Sequence, residues 1–231
     1  MSAELLINIT PQESRVALLE NGVLQEVLIE RLSRRGIVGN IYKGRVSRVL
    51  PGMEAAFIDI GLDKSAFLHA SDLTAPPMED LHTDDLPKKQ PTPQIHEVLH
   101  EGKQLLVQVI KDPLGSKGAR LTTYITLPSR FLVLMPDNQT IGISGKIESA
   151  EERDRLRSLV QKVRAEFGDQ FGFIVRTAAD GISEDSLRQD MQFLLRLWRS
   201  IEQSANDATQ AKLVYSDLPL VLRVLRDMVG E

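Results

Sequence analysis

The chain has 231 residues, 42% of them hydrophobic and 26% charged, which is ordinary for a globular protein of one large or two to three small domains. The net charge of −4 restricts any nucleic-acid surface to a local basic patch, and the absence of cysteine excludes disulfides and thiolate metal sites in this sequence. Neither a signal peptide nor an uncharged apolar run of about 18 residues is present, so we expect a cytoplasmic protein without a membrane span.

The first apolar runs predict a three-stranded β-meander. Strands are expected over Glu4–Ile9, Arg15–Leu19 and Val23–Ile29, and the Asn21-Gly22 pair between the last two is a strong signal for a two-residue hairpin. A meander of this size seldom closes a hydrophobic core by itself. We therefore expect another segment to cover its apolar face.

Residues 40–69 read NIYKGRVSRVLPGMEAAFIDIGLDKSAFLH and consist of alternating runs separated by Pro and Gly turns. This pattern is typical of a small antiparallel barrel. Two later runs, Lys103–Asp112 and Lys117–Ile125, raise the number of strands to five, as in an OB-fold.

Two phenylalanines in this barrel indicate a binding surface. Phe57 alternates with an aliphatic set, and Phe67 on the returning strand can lie beside it. Exposed rings with a basic surround hold single-stranded nucleic acid by stacking. The alternative places both rings in the core, but two rings flanked by basic residues favour RNA binding. The basic residues are Lys43, Arg45 and Arg48, and no acidic residue lies between Arg31 and Arg48.

Residues 71–100 form a long loop rich in proline and acid, a type of segment that is usually functional or mobile. Its histidines, His82, His96 and His100, lack the spacing and the nearby carboxylates of a metal site, so we expect solvated side chains.

From Thr126 the pattern changes to that of a separate α+β unit. Three short apolar strands are predicted, together with two amphipathic helices. The strands are Phe131–Met135, Ile141–Ile147 and Phe171–Val175; the first helix follows a capping box at Ser149 and Glu152, and the second runs over Glu184–Ser204.

The segment RTAADG, residues 176–181, lies at the end of a predicted strand. There the guanidinium of Arg176 and the hydroxyl of Thr177 can converge on one small anion, because arginine matches phosphate bidentately. The equally weighted alternative is that Arg176 pairs with Asp180 or with a carboxylate on a helix.

The tail contains a short strand, Leu213–Tyr215, and then a helix that we expect Ser216 and Asp217 to cap. Because this helix has an apolar stripe, it is the expected cover for the meander. The first and last segments would then form one subdomain, interrupted by two insertions.

The order of these elements resembles the start of the bacterial ribonuclease E/G family, nearest to its ribonuclease G branch. The resemblance covers essentially the whole chain and is carried by the meander, by RRGIVGNIYKGRVSRVLPGMEAAFIDIGLDKSAFLH, by KDPLGSKGARLTTYITLPSRFLVLMP and by FIVRTAADG. It implies a multidomain α+β fold in which an S1 domain (an OB-fold) and a 5′-sensor domain are inserted in a partial RNase H-like subdomain. The implied boundaries are 1–37 for the first part of that subdomain, 38–123 for S1, 124–211 for the sensor and 212–231 for the return.

The resemblance also implies a function. Family enzymes cleave single-stranded, often A/U-rich RNA, prefer a 5′-monophosphate, act in rRNA maturation and mRNA decay, need Mg²⁺ and assemble as dimers or dimers of dimers. Their metal-binding carboxylates and the cysteines of their zinc link belong to a later domain. This chain is therefore expected to be the RNA-recognition half, without catalytic or metal residues and inactive alone. The alternative is a self-sufficient S1 protein that binds RNA without catalysis.

Carried over by residue, Phe57 and Phe67 match the aromatic residues that stack on bases, and Lys117 matches the basic residue that accompanies them. Arg176 and Thr177 match the pair that grips the 5′ phosphate, with Val133 lining the same pocket. Two departures affect that pocket. Ser129 stands where some members have glycine, and Gly145-Lys146 replaces the adjacent arginines of ribonuclease E, so that Lys146 supplies a point charge in place of a bidentate fork.

Overall fold

The computed structural model describes residues 2–73 and 93–228, and the chain divides into two compact units. One unit combines Met1–Ile37 with Asp217–Glu231, and the other is Val38–Ser216. The strands are β1 (Ala3–Ile9), β2 (Glu13–Glu20), β3 (Val23–Arg31), β4 (Ile41–Leu50), β5 (Ala55–Asp59), β6 (Ala66–His69), β7 (Gln104–Lys111), β8 (Arg120–Thr122), β9 (Leu127–Pro128), β10 (Leu132–Met135), β11 (Ile141–Ile143), β12 (Gly172–Val175) and β13 (Lys212–Tyr215). The α-helices are α1 (Ile95–Val98), α2 (Ala150–Ala165), α3 (Glu184–Asp207) and α4 (Leu220–Met228).

The terminal unit is an antiparallel meander, β1-β2-β3, with α4 packed on one face. Asn21 and Gly22 both have positive φ, 50° and 79°, which is the geometry of the predicted hairpin turn. Val224 of α4 packs with Val16 of the middle strand in one buried cluster, so the last helix covers the meander as expected. The amide of Leu220 at the start of α4 donates to the Glu30 carboxylate on β3, at 3.1 Å. The RNase H-like nature of this unit stays a prediction.

The larger unit begins with a closed barrel. Its strands run in the order β4-β5-β6-β8-β7, and pairing of β7 with β4 closes the ring. These five strands confirm the OB-like barrel. Strand β13 pairs antiparallel with β4 at Ile41–Lys43, so residues 212–216, which the sequence analysis assigned to the return segment, lie with the barrel.

The α+β domain contains a four-stranded sheet in the order β11-β12-β10-β9. Strand β12 runs antiparallel to β10 and parallel to β11. Helices α2 and α3 contribute buried side chains to a core shared with the inner face of this sheet and with Ile41 of the barrel. Helix α2 ends at Ala165, earlier than the predicted stop at Gly168, and Gly168 has a φ of 99° that favours glycine.

The long loop contains order that the sequence analysis did not predict. Ala70–Leu73 forms a 3₁₀ turn, and Ile95 of α1 is fully buried. His96 and His100 are exposed, whereas His82 lies outside the described residues. Among the residues that the structure describes, no helix has the length and apolar character needed to cross a membrane.

The side-chain amide of Gln108 joins the barrel to the α+β domain. Its nitrogen donates to the carbonyls of Gly39 and Thr126 at 3.1 and 3.0 Å, and its oxygen accepts from the Thr126 amide at 2.9 Å. The residue is only 6% exposed. Three backbone groups on both sides of the domain boundary therefore depend on one buried side chain.

We expect Gln108→Met to lower the free energy of unfolding by about 2–4 kcal/mol, because buried backbone groups that lose their partners cost about 1–3 kcal/mol each. Chemical denaturation followed by circular dichroism measures the change. Gln104→Met is the matched control, since Gln104 lies on the same strand but is exposed. Equal losses in the two variants would contradict a joining role for Gln108.

Candidate nucleic-acid interface

Phe57 and Phe67 face each other directly across the β5–β6 pair. Their ring centroids are 6.2 Å apart in an edge-to-face arrangement, and both side chains are half-buried. The neighbours in β5 and β6 that point inward, Ala56, Ile58 and Leu68, are fully buried. The two rings thus lie on the outer face of the barrel, over a filled core.

Strand register extends this pair into a row. Arg48 of β4 lies directly opposite Phe57, and Arg120 of β8 lies beside Phe67. Residues paired in register share a face of the sheet, so the four side chains cross the barrel in the order Arg48, Phe57, Phe67, Arg120. We call these four residues the aromatic row. Arg120 is held in place by a bidentate ion pair with Asp72, at 2.8 and 3.0 Å.

The other three basic residues predicted to accompany the rings have different positions. Arg45 is exposed and lies opposite Asp59, two residues beyond Phe57 on the same face. Lys117 is exposed in the turn between β7 and β8. The next residue, Gly118, packs so closely on Ser65 that a Cβ would lie 1.9 Å from the Ser65 carbonyl oxygen, which fixes this turn against the start of β6.

Lys43 is placed differently from the prediction that it surrounds the rings. Its ammonium donates to the carbonyls of Ala205 and Ala208 at 2.9 and 2.6 Å, at the C-terminal end of α3. A lysine is favourable there because it satisfies terminal carbonyls and complements the negative end of the helix dipole. The ammonium of Lys43 therefore serves the fold at this position.

A second group of polar side chains lies where β11 and β12 end. These strands are parallel, so their carboxyl ends meet at one edge of the sheet. Ser144 follows β11 and Thr177 follows β12, and their hydroxyl oxygens are 3.3 Å apart. Lys146 is exposed in the turn after Ser144, and Arg176 precedes Thr177. We call Ser144, Lys146, Arg176 and Thr177 the strand-end site.

Arg176 and Val133 share the outer face of the sheet. Val133 lies opposite Ile174 in the β10–β12 pair, and both alternate with fully buried neighbours. Arg176 follows Ile174 by two residues, and its Nη1 donates to the Ser129 carbonyl at 2.5 Å. Val133 and Ile174 thus form an apolar patch on the outer face, and the Arg176 guanidinium is anchored on the turn between β9 and β10. A guanidinium and hydroxyls that follow neighbouring strand ends are residue types suited to an oxyanion.

The turn after Thr177 is held by Glu152 of α2. Glu152 accepts from the Gly181 amide at 2.9 Å and forms a bidentate ion pair with Arg155 at 2.6 and 2.7 Å. The Arg155 guanidinium, together with the Gly181 amide, lowers the pKa of the Glu152 carboxyl below its ordinary value. Ser149 caps α2 as predicted, by accepting from the Glu152 amide.

Ser129, the departure noted in the sequence, does not point toward the strand-end site. Its side chain is 3% exposed, and its hydroxyl lies 2.5 Å from a carboxylate oxygen of Asp190 on α3. The sequence analysis missed Ser144 and Asp190. The parallel strand ends could have indicated Ser144, whereas no local pattern indicates Asp190.

Within residues 2–73 and 93–228, no group of three or more His, Cys, Asp or Glu side chains is arranged to hold a metal ion.

An OB-like barrel with an aromatic row, joined to an α+β domain with a cationic strand-end site, defines a class of S1-containing nucleic-acid-binding proteins. Comparison with known families agrees: residues 37–122 match the S1 RNA binding domain, and residues 126–231 match the ribonuclease E/G family. The chain belongs to the ribonuclease E/G family.

Its relatives place it nearer to ribonuclease G than to ribonuclease E. The chain is 54% identical to ribonuclease G of Haemophilus influenzae over 99% of its own length and 46% of that protein. For ribonuclease G of Escherichia coli K12 the identity is also 54%, over 98% of this chain and 45% of the relative. Ribonuclease E of Nostoc is 36% identical over 97% of the chain and 31% of that protein. The chain thus spans slightly less than half of the ribonuclease G relatives.

We expect Glu152→Gln to lose an ion pair whose contribution depends on pH. Because the folded-state pKa of Glu152 is lowered, the stabilisation is complete above the ordinary glutamate pKa and is lost as the pH falls through the folded value. The difference in unfolding free energy between wild type and variant should therefore shrink on acidification. Urea denaturation at several pH values between about 3 and 7 measures it, and a constant difference would contradict the assignment.

Proposed function

We propose that this chain is the RNA-recognition part of a ribonuclease G-type, single-strand-specific endoribonuclease. The aromatic row binds unpaired bases of single-stranded RNA. The strand-end site binds the 5′-monophosphate at the end of such an RNA. The observation that carries the proposal is the alignment of Arg48, Phe57, Phe67 and Arg120 on one outer face of an S1 barrel.

The aromatic row supports base stacking for physical reasons. Its rings keep one face of the barrel apolar without serving as core, since smaller residues already fill the space beneath them. Every base has a π-face, so stacking tolerates sequence variation, while flanking guanidinium groups attract the backbone. Such binding selects unpaired RNA, because paired bases in a duplex do not expose their faces.

The strand-end site supports recognition of a terminal phosphate. A 5′-monophosphate carries more charge and more acceptor oxygens than a 5′-hydroxyl. Arg176, Lys146 and the hydroxyls of Ser144 and Thr177 supply the donor types that such an end requires, and Val133 lies on the outer face of the same sheet. Lys146 provides charge, and Arg176 provides directional hydrogen bonds.

The remaining family properties are proposed from membership alone. They comprise action in rRNA processing and mRNA decay, Mg²⁺ dependence, assembly of the parent enzyme as a dimer or dimer of dimers, and a cytoplasmic location. We place cleavage outside this stretch, because the family resemblance assigns the metal-binding carboxylates to a later domain. The cysteines of the family's zinc link do not occur in this sequence.

Phe57→Ala should weaken binding of a single-stranded A/U-rich oligonucleotide by about 1–3 kcal/mol, the usual value of one base–aromatic stack. Fluorescence anisotropy at fixed salt measures the affinity. Phe193→Ala is the control, because that ring is 50% exposed on α3.

Unchanged affinity of a folded Phe57→Ala protein would contradict the stacking role. The same mixtures supplied with Mg²⁺ should contain intact RNA, since both a truncated recognition part and a non-catalytic S1 protein bind without cutting. Cleavage by this chain alone would overturn our placement of the active site.

Arg176→Ala should reduce the preference for 5′-monophosphate over 5′-hydroxyl RNA to about one, because the bidentate donor is lost. Competition binding with two oligonucleotides that differ only at the 5′ end measures the ratio. Arg196→Ala removes the same charge from an exposed position on α3 and should leave the ratio unchanged. A wild-type ratio of one would reject the 5′-end assignment.

A further inference from the structure

We propose that Asp190 is the positioning residue of the strand-end site, acting through the loop of residues 128–131 to set the orientation of Arg176. This inference rests on the proposed function of that site. Asp190 does not face the site and contacts no ligand position; its effect is transmitted through two consecutive sets of hydrogen bonds.

The first set joins Asp190 to the loop. One carboxylate oxygen, Oδ2, accepts from the Ser129 hydroxyl at 2.5 Å and from the amides of Phe131 and Leu132 at 3.1 Å each. The backbone of Arg130 contributes as well. A single acceptor on α3 therefore holds the turn that leads into β10, where the Ser129 amide also donates to the Leu132 carbonyl at 2.8 Å.

The second set joins the loop to Arg176. The carbonyl of Ser129 accepts from Nη1 of Arg176 at 2.5 Å, and the carbonyl of Phe131 accepts from the Arg176 amide at 2.8 Å. The backbone amide and the guanidinium of Arg176 are thus both bonded to residues whose positions Asp190 determines. If the loop moved, the guanidinium would move with it.

The burial of the Asp190 carboxylate costs desolvation free energy, which an apolar side chain at this position would avoid. Burial raises the pKa of its carboxyl, and the hydrogen bonds from Ser129 and from the loop backbone offset part of that rise. A leucine or methionine would fill the space without this desolvation, but it could not accept three loop donors. The carboxylate thus supplies the acceptor on which the loop donors converge.

The experiment compares Asp190→Ala and Asp190→Asn in the full 231-residue chain. Asparagine keeps one acceptor oxygen for the three loop donors, whereas alanine removes it. Competition binding with 5′-monophosphorylated and 5′-hydroxylated forms of one oligonucleotide gives the preference ratio. Leu156→Ala is the stability control, since Leu156 is fully buried in the same core on α2.

We expect Asp190→Ala to lower the preference ratio at least fivefold while affinity for the 5′-hydroxyl RNA stays within twofold of wild type. Asp190→Asn should keep the ratio within twofold. In NMR spectra without RNA, the Arg176 Nε–H resonance should broaden in Asp190→Ala only. Leu156→Ala should leave both the ratio and the resonance unchanged.

Each other outcome is decisive. A wild-type ratio in folded Asp190→Ala, with the preference abolished in Arg176→Ala, overturns the positioning role and leaves the proposed function standing. An equal loss in Leu156→Ala shows that general stability, not Asp190, sets the ratio. No preference in the wild type rejects the proposed function and this inference together. Should Asp190→Ala not fold, Asp190→Leu takes its place, because leucine fills the space without accepting from the loop; a wild-type ratio in folded Asp190→Leu overturns the proposal.

Discussion

The amide of Gln108 is the constraint on which the arrangement of the larger unit depends. A primary amide both donates and accepts, so one buried side chain can satisfy backbone groups of residues 39 and 126 at once. Leaving such groups without partners in a low-dielectric interior is costly, and few other geometries would satisfy all three. Ile41 of the barrel also belongs to the core of the α+β domain. The OB-like barrel and the sheet are therefore built as one body.

Helix α3 makes contacts that affect both candidate surfaces. Its C-terminal carbonyls receive the ammonium of Lys43 from the barrel, while Asp190 in its first half holds the loop that anchors Arg176. The following chain then returns as β13 to pair with β4. One long amphipathic element thus relates the position of the strand-end site to the barrel that carries the aromatic row.

Local patterns were sufficient for most of the fold. Alternation located all five barrel strands and placed Phe57 outside the aliphatic set, and helical periodicity located α2 and α3. Contacts between distant residues could not be predicted this way. Lys43 looked like a surface cation because nothing near it shows that a helix end 162 residues later would meet it. Asp190 has no local signal in the sequence, because its partners are about sixty residues away.

Because Gln108 joins the barrel to the sheet, the length of the RNA should affect its binding affinity. Under the proposed function, an RNA that is already bound by its terminal phosphate can stack its bases on the rings. This second binding event takes place within the same complex and is therefore intramolecular. The effective concentration of that event depends on how well the RNA spacer matches the span between two surfaces that belong to one compact unit. Short oligonucleotides that cannot bridge would gain no avidity, and those that match the span would gain most.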